Sequence, residues 1–209
     1  MRYNLEDIKE DVRIALDENQ VSDNMMDTDT LSVDDIIVSK IVEAVRDVHI
    51  NAPTYMLEAG HNFADSICWD KKPGKGSGWT ILPNDFMRLV SFRMSDWERP
   101  VYSAILPEDP AYALQSSRYG VKGNRQKPVC AIVMRPQGRV LEFYSCNGRD
   151  VHVSMAVYLP LPKIEDESID ICERCYRSVV YRCAGLAATS IERADKAEVL
   201  FKISNDLLK

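Results

Sequence analysis

The chain has 209 residues and a formal net charge of −6, with 45% hydrophobic and 28% charged residues. This composition is typical of a globular protein with a substantial core, and no apolar run approaches the roughly 20 residues of a membrane-spanning helix. The N-terminal segment is acidic and lacks the apolar stretch of a secretory signal. We therefore expect synthesis in the cytosol, no membrane partner, and six reduced, mostly buried cysteines.

The acidic excess is confined to the N-terminal segment. Residues 1–31 hold three basic and nine acidic residues, whereas the remainder of the chain holds 23 of each. A protein that coats nucleic acid needs a dominant basic face, so this balance argues against that function. It still allows local basic loops.

Two amphipathic helices are predicted near the N-terminus. In residues 4–18 apolar side chains recur every three or four positions, and Asn4 can cap the first turn. The second helix begins after Ser32, which forms a capping-box pattern with Asp35, and it ends before Pro53. The aperiodic segment between them is predicted to be a loop, and a short helix is predicted from Tyr55 to Trp69.

Three β-rich runs follow in the middle of the chain: "VCAIVM", "RVLEFYSC" and "DVHVSMAVYL". The first two are separated by "RPQG", in which Pro136 suits the second position of a turn. The last two are separated by Asn147–Gly148, the strongest short hairpin signal. These patterns predict an antiparallel meander. Further strands are predicted from Leu89 to Met94 and in "RPVYSAIL".

Two more helices, at residues 169–186 and 190–208, are predicted after "PLP", with the acidic run 165–167 as the solvated entrance to the first. The predicted fold is therefore α+β: N- and C-terminal helices form a small bundle with an inserted antiparallel β region. The predicted parts are an acidic helix and loop at 1–31, a helical part with a Gly/Lys loop at 32–80, the β region at 81–162, and a helical pair at 163–209 that packs on the N-terminal helices.

The stretch "WDKKPGKGSGWT" has the glycines and lysines of a phosphate-binding loop but not their spacing. A P-loop requires Gly, four residues, then Gly-Lys-Ser or Gly-Lys-Thr at the start of a helix. Here Gly76 follows Lys75, and Trp69 occupies the position of the first glycine. We predict an exposed assembly loop, whose lysines Lys71, Lys72 and Lys75 can contact a partner or a phosphate backbone.

A second basic loop spans residues 116–128. Its four cations are accompanied by no acid: Arg118, Lys122, Arg125 and Lys127. Such a loop can grip a phosphate backbone or meet an acidic partner. The sequence supplies an acidic partner face on the first helix, in a neighbouring copy of the chain, and we favour that pairing: Glu6, Asp7, Glu10 and Asp11.

Cys172 and Cys175 form a CxxC motif near a predicted helix start, where redox pairs occur. A structural zinc site would need two further ligands, and the sequence has no second CxxC and no paired histidines. Ile171, Cys175, Val179 and Cys183 share one apolar stripe with Cys172 at its edge, which predicts packing. A thiol-dependent enzyme centred on these cysteines is the alternative, because a Cys–His pair can join residues distant in sequence.

The chain resembles the adaptor or connector ring proteins in the neck of tailed bacteriophages, particularly those of short-tailed crAss-like phages. The resemblance is carried by "ILPNDFMRLVSFRMSDWERPV" at 81–101, "YALQSSRYGVKGNRQKPVCAIV" at 112–133, and "AVYLPLP" before the C-terminal helices. It covers residues 34–205 and leaves out the acidic helix at 1–18.

That resemblance implies a structural virion protein rather than an enzyme, with no catalytic residue, cofactor or metal. Such proteins form rings, often twelvefold, that link the portal to the tail and surround a channel through which DNA passes without sequence-specific binding. The implied partners are other copies of the chain, the portal protein and neighbouring neck or tail proteins. The implied location is the virion, after synthesis in the bacterial host cytoplasm. The alternative is a small nucleic-acid-binding protein that uses the basic loops 71–75 and 118–127.

Overall fold

The structure, a computed structural model, describes residues 1–16, 32–58, 60–64, 66–70, 76–116 and 123–209. Within these ranges the helices are α1 (Leu5–Ala15), α2 (Val33–Asn51), α3 (Pro110–Leu114), α4 (Tyr176–Ser190) and α5 (Ala194–Asp206). The strands are β1 (Arg2–Asn4), β2 (His61–Asn62), β3 (Cys68–Trp69), β4 (Gly76–Ile81), β5 (Phe86–Met94), β6 (Cys130–Arg135), β7 (Gly138–Cys146), β8 (Val153–Pro160), β9 (Ile164–Glu165) and β10 (Ser168–Asp170). All strand pairs are antiparallel, and the predicted α+β class is confirmed.

The chain divides into two compact units. The first, which we call the helical unit, joins Met1–Glu58 to Leu161–Lys209 and contains α1, α2, α4, α5 and the sheet β1-β10-β9. The second, the β unit, is the continuous segment Ala59–Pro160 with α3 and two sheets, β2-β8-β5 and β3-β4-β7-β6. None of the helices in the described ranges is both long and apolar enough to cross a membrane.

The first two helices begin at the predicted caps. The Asn4 side chain accepts a hydrogen bond from the Glu6 amide at 3.0 Å. Ser32 and Asp35 form the reciprocal capping box, in which each side chain accepts from the other residue's amide. These contacts satisfy amides that have no partner inside the helix. The fully buried faces are Ile8, Val12 and Leu16 in and just after α1, and Ile37, Ile41, Ala44 and Val45 in α2.

Helix α4 lies against α1, α2 and α5. Its buried side chains are small, which allows close approach of the neighbouring helices: Cys183, Ala184, Ala187 and Ala188. At Gly185 a Cβ atom would lie only 2.5 Å from the Phe201 ring, so α5 packs where α4 has no side chain. The two helices also exchange buried hydrogen bonds: each hydroxyl of Ser178 and Ser204 donates to the other residue's carbonyl oxygen, at 2.9 and 2.8 Å.

The predicted start of the first C-terminal helix is wrong. Residues 168–170 form strand β10, which pairs with β1, and α4 begins only at Tyr176. The acidic run is the turn of the β9–β10 hairpin rather than a helix entrance. Asp166 and Glu167 have φ values of 49° and 55°, the left-handed geometry of the central residues in a type I′ turn.

The two sheets of the β unit share one aromatic core. Phe92 of β5 and Phe143 of β7 lie with ring centroids 6.0 Å apart, so side chains from both sheets meet between them. The largest buried members of this cluster are Phe63, Phe86, Phe92, Met94, Trp97, Leu141, Phe143 and Tyr158.

The meander prediction is only half right. The β6–β7 hairpin is confirmed, because Arg135 pairs with Gly138 and Pro136 occupies the second turn position. The Asn147–Gly148 hairpin is wrong: β7 pairs with β4 and β6, whereas β8 pairs with β2 and β5 in the other sheet. The segment between β7 and β8 crosses from sheet to sheet, and the Asn147 amide donates to the Asp96 carboxylate at 2.8 Å.

The helix predicted from Tyr55 to Trp69 is also wrong. This region contains one 3₁₀ turn, Thr54–Met56, followed by the short strands β2 and β3. The reason is tertiary: β2 extends the β8 sheet, and Phe63 beyond it enters the aromatic core. In "RPVYSAIL" the structure has isolated bridges at Val101 and Ile105 instead of a strand.

Candidate functional site

The β unit contains a pocket of about 540 Å³. Its walls come from the start of β4, the second half of β7, α3 and the turn after residue 123. The lining includes Asp70, Ser77, Tyr112, Arg125, Glu142 and Tyr144. This concave surface therefore combines hydrogen-bonding side chains with an equal share of apolar surface.

A buried carboxylate organises one wall of the pocket. Glu142, in the middle of β7, is 6% exposed and accepts hydrogen bonds from Arg135 Nε at 2.8 Å and Nη2 at 2.6 Å. The hydroxyl groups of Tyr112 and Tyr144 donate to its second oxygen. The Arg135 guanidinium lies 5.1 Å from the centre of the Trp79 ring. The carboxylate is thus compensated by a charge and by several donors, as a buried charge requires.

The environment of Glu142 keeps both phenols protonated. Burial, and next the hydrogen bond to Glu142, raises the pKa of Tyr144 far above its usual value. Burial and the negative charge of Glu142 also raise the pKa of Tyr112. A carboxylate with so many donors is a fixed structural acceptor rather than a general base, so this wall can orient a polar ligand but holds no activated nucleophile.

The sequence contains one signal for this network, which the prediction did not use. Glu142 is a charged residue in the middle of a largely buried strand, and a buried charge needs a partner. Its partners lie 30 positions away, across the β6–β7 hairpin, and two positions along the same strand. The Ser145 hydroxyl, in the same strand, is buried and accepts no hydrogen bond from the described part of the chain.

Only part of the predicted basic loops lies in the described ranges. Arg125 and Lys127 are exposed on a turn in which the Asn124 side chain accepts from the amides of Gln126 and Lys127, at 2.9 and 2.8 Å. The remaining cations lie outside the described residues: Lys71, Lys72, Lys75, Arg118 and Lys122. Gly76 begins strand β4, whereas the glycines and lysine of a P-loop lead into a helix.

The predicted acidic face is on α1, and two of its members are engaged within the helical unit. Glu6 forms an ion pair with Lys9 at 2.6 Å, and Asp11 accepts a 2.6 Å hydrogen bond from the Tyr176 hydroxyl. Asp7 and Glu10 are exposed and form no ion pair with the residues that the structure describes. They are the members best placed to meet a basic partner.

The CxxC cysteines are buried in the helical unit, as the apolar stripe predicts. Cys175, Val179 and Cys183 are fully buried, and Cys172 is 6% exposed. Sequence reasoning missed their neighbour His49 of α2, whose Nε2 accepts a hydrogen bond from the Cys172 amide at 3.2 Å.

The two ends of this stripe differ in acidity. Burial raises the pKa of Cys183 to about 12. The pKa of Cys172 is instead lowered, because Cys175 and then His49 hydrogen-bond to its sulfur, against the effect of burial. Across the described ranges, no group of three or more His, Cys, Asp or Glu residues is arranged to hold a metal ion.

Comparison with known protein families gives no match to this chain, and comparison with curated proteins gives no relative.

Proposed function

We propose that the protein is a structural virion protein: a ring-forming adaptor in a phage neck that links portal to tail and surrounds the DNA channel. The class of protein comes from the resemblance of residues 34–205 to such adaptors. The observation that supports the proposal is the surface of α5, on which apolar side chains remain exposed.

Helix α5 has an apolar surface that its own unit covers only in part. Ala197 and Leu200 are buried within the helical unit. Beside them an outer stripe remains exposed at a spacing of four residues: Val199 and Ile203 of α5 and Leu207 just after it are 58%, 36% and 37% exposed. A helix at the surface of a monomer normally has one apolar stripe, and a contiguous exposed apolar surface marks a protein–protein contact. The outer stripe is therefore assigned to contact with a neighbouring copy in the ring.

The order of the chain supports the same class. Both ends of the chain build the helical unit, and the β unit is one continuous insertion of residues 59–160. The adaptors that the chain resembles have N-terminal helices, an inserted β region and C-terminal helices in this order. Fold analogy alone does not establish function, so the assembly surface is the part that must be tested.

Exposed charges supply the second component of the proposed contact. Asp7 and Glu10 of one copy would face Arg125 and Lys127 of the next. Exposed ion pairs contribute little affinity, so these pairs would select the register of the ring while the α5 stripe supplies buried area. A net charge of −6 also suits a channel along which DNA slides without adhering.

The decisive experiment is the mass and symmetry of the purified protein, alone and inside virions. The wild type is expected in a closed ring, at least in particles, and Ile203→Lys is expected to remain monomeric and to be lost from particles. Ile164→Lys is the matched control, because Ile164 is an isoleucine of β9 that is 39% exposed and lies outside both the α5 stripe and the acidic face of α1. A protein that is strictly monomeric and absent from virions would end the proposal.

The same preparation separates the nucleic-acid alternative. A DNA-binding protein that uses its basic loops should bind duplex DNA with an affinity that falls steeply as salt rises. The ring adaptor should show little binding at physiological salt. Tight, salt-sensitive binding by the monomer, weakened by Arg125→Ser, would favour the alternative.

A further inference from the structure

Cys172 and Cys175 are brought together by a tight turn. Cys172 precedes a 3₁₀ helix of one turn, Glu173–Cys175. The Cys175 amide donates a hydrogen bond to the Cys172 carbonyl oxygen at 2.8 Å. Residues three apart in such a turn lie on one side of it, within the distance that a disulfide can bridge. The Cys175 thiol lowers the pKa of Cys172, and it lies 3.9 Å from the Met56 carbonyl oxygen.

His49 completes a cluster suited to thiol chemistry. It is 4% exposed and lies on α2, and its Nε2 accepts a hydrogen bond from the Cys172 amide at 3.2 Å. It also contributes to the lowered pKa of Cys172. A reactive cysteine needs its thiolate, and a neighbouring imidazole and a thiol donor both favour that form. Cys183, eight positions beyond Cys175 on the same stripe, has the opposite environment: burial disfavours its thiolate and outweighs the opposing charge of Lys40.

Access distinguishes the two members of the pair. Cys172 retains 6% of its surface, whereas Cys175 is fully buried. Of the two residues, Cys172 is therefore the nearer to solvent, and a small disulfide meets it first.

From this geometry we infer that Cys172 and Cys175, with His49, form a dithiol redox site whose co-substrate is a low-molecular-weight disulfide. The Cys172 thiolate attacks one sulfur of that disulfide, which forms a mixed disulfide and releases one thiolate. The Cys175 thiol then loses its proton and attacks the Cys172 sulfur, which releases the second thiolate. Overall, the S–S bond of the co-substrate is broken and an S–S bond joins Cys172 to Cys175. Two electrons pass from the dithiol to the small disulfide, which leaves as two thiols. This site is independent of the assembly surface on α5.

The test uses the full-length, folded protein with Cys68→Ser, because Cys68 is exposed and would react by itself. The reduced protein is incubated with glutathione disulfide at neutral pH, quenched with acid, unfolded, and its free thiols are blocked with a maleimide. Peptide mass spectrometry then locates each modification. The expected product is a disulfide that joins Cys172 to Cys175, formed at least ~10-fold faster than any modification of Cys183. A dithiol reductant should reverse it.

Two further variants separate the steps. Cys175→Ser should accumulate a glutathione adduct at Cys172 that does not resolve, and Cys172→Ser should leave Cys175 unmodified. Cys183→Ser should behave like the parent protein. If Cys175→Ser does not fold, the inference is tested by the parent protein alone. The two rates compared are then those of Cys172–Cys175 disulfide formation and of Cys183 modification. The inference is overturned if Cys172 reacts no faster than Cys183, or if its glutathione adduct persists while Cys175 is present.

Discussion

The buried ion pair of the β unit gives the sharpest prediction about stability. Arg135→Met keeps an apolar side chain over the Trp79 ring but removes the positive charge beside Glu142. Two charges about 4 Å apart attract each other by roughly 4 kcal/mol at an effective dielectric constant of about 20. Breaking a buried pair costs about 3–5 kcal/mol. Since Arg135 is 29% exposed and the two tyrosines still donate to Glu142, we expect a loss of about 2–3 kcal/mol in the free energy of unfolding.

The loss arises from the uncompensated charge of Glu142, and a second substitution that removes this charge tests that cause. Glu142→Gln in the Arg135→Met background removes the charge and retains a hydrogen-bond acceptor for the tyrosines. The double variant should therefore be more stable than Arg135→Met alone by about 1–2 kcal/mol.

Urea unfolding followed by tryptophan fluorescence measures this unit selectively, because all three tryptophans, Trp69, Trp79 and Trp97, lie in the β unit. Arg182→Met is the control: its pair with Asp47 is in the helical unit and is about one-quarter to one-third exposed, so the tryptophan signal should not move. A loss below 1 kcal/mol for Arg135→Met, or no recovery in the double variant, would refute the argument.

Three further predictions concern groups in both units. Above about pH 10 the β unit should lose stability, because the phenol of Tyr144 releases its proton in the unfolded state while the folded state still holds it; thermal unfolding should show a shallower alkaline decline for Tyr144→Phe than for the wild type. Ser204→Ala removes the hydrogen bond from the Ser204 hydroxyl to the Ser178 carbonyl oxygen, but Ser178 still donates to the carbonyl oxygen of residue 204. We therefore expect a loss of only about 1 kcal/mol in the free energy of unfolding of the helical unit, measured by circular dichroism of the helices. Ser190→Ala, at an exposed serine, is the control and should leave that free energy unchanged. His49→Gln should raise the pKa of Cys172, seen as a shift of the thiolate ultraviolet absorbance to higher pH relative to a Cys172→Ser blank; an unchanged titration would contradict the contact.

Features set by neighbouring residues were predictable from the sequence. The caps at Asn4 and Ser32 and the hairpin around Pro136 each depend on a few adjacent positions, and all three are present. Asn147–Gly148 carries an equally strong local signal, yet the core between the two sheets outweighs it and directs β8 to β5. Local turn preference is worth less than the burial of an aromatic strand face.

The candidate sites required contacts that no local pattern encodes. Cys172 and His49 are separated by 123 positions, and the sequence offered only a CxxC motif and an isolated histidine. The partners of Glu142 likewise depend on the register of β6 and β7 and on where α3 lies. Periodicity can assign a residue to a face, but only the fold decides which faces meet.

The insertion of the β unit between the two halves of the helical unit has a consequence during translation. The apolar face of α2 leaves the ribosome well before α4, the helix that covers it, and the delay is roughly ten seconds at an elongation rate of about 5–20 residues per second. Because the β unit is one continuous segment, it can fold in that interval. During the same time the apolar faces of α1 and α2 remain exposed on the nascent chain. Holdase chaperones that bind the emerging chain would therefore be expected to dwell on residues 33–51, and a ribosome stalled after residue 160 should present a finished β unit with an unfinished helical one.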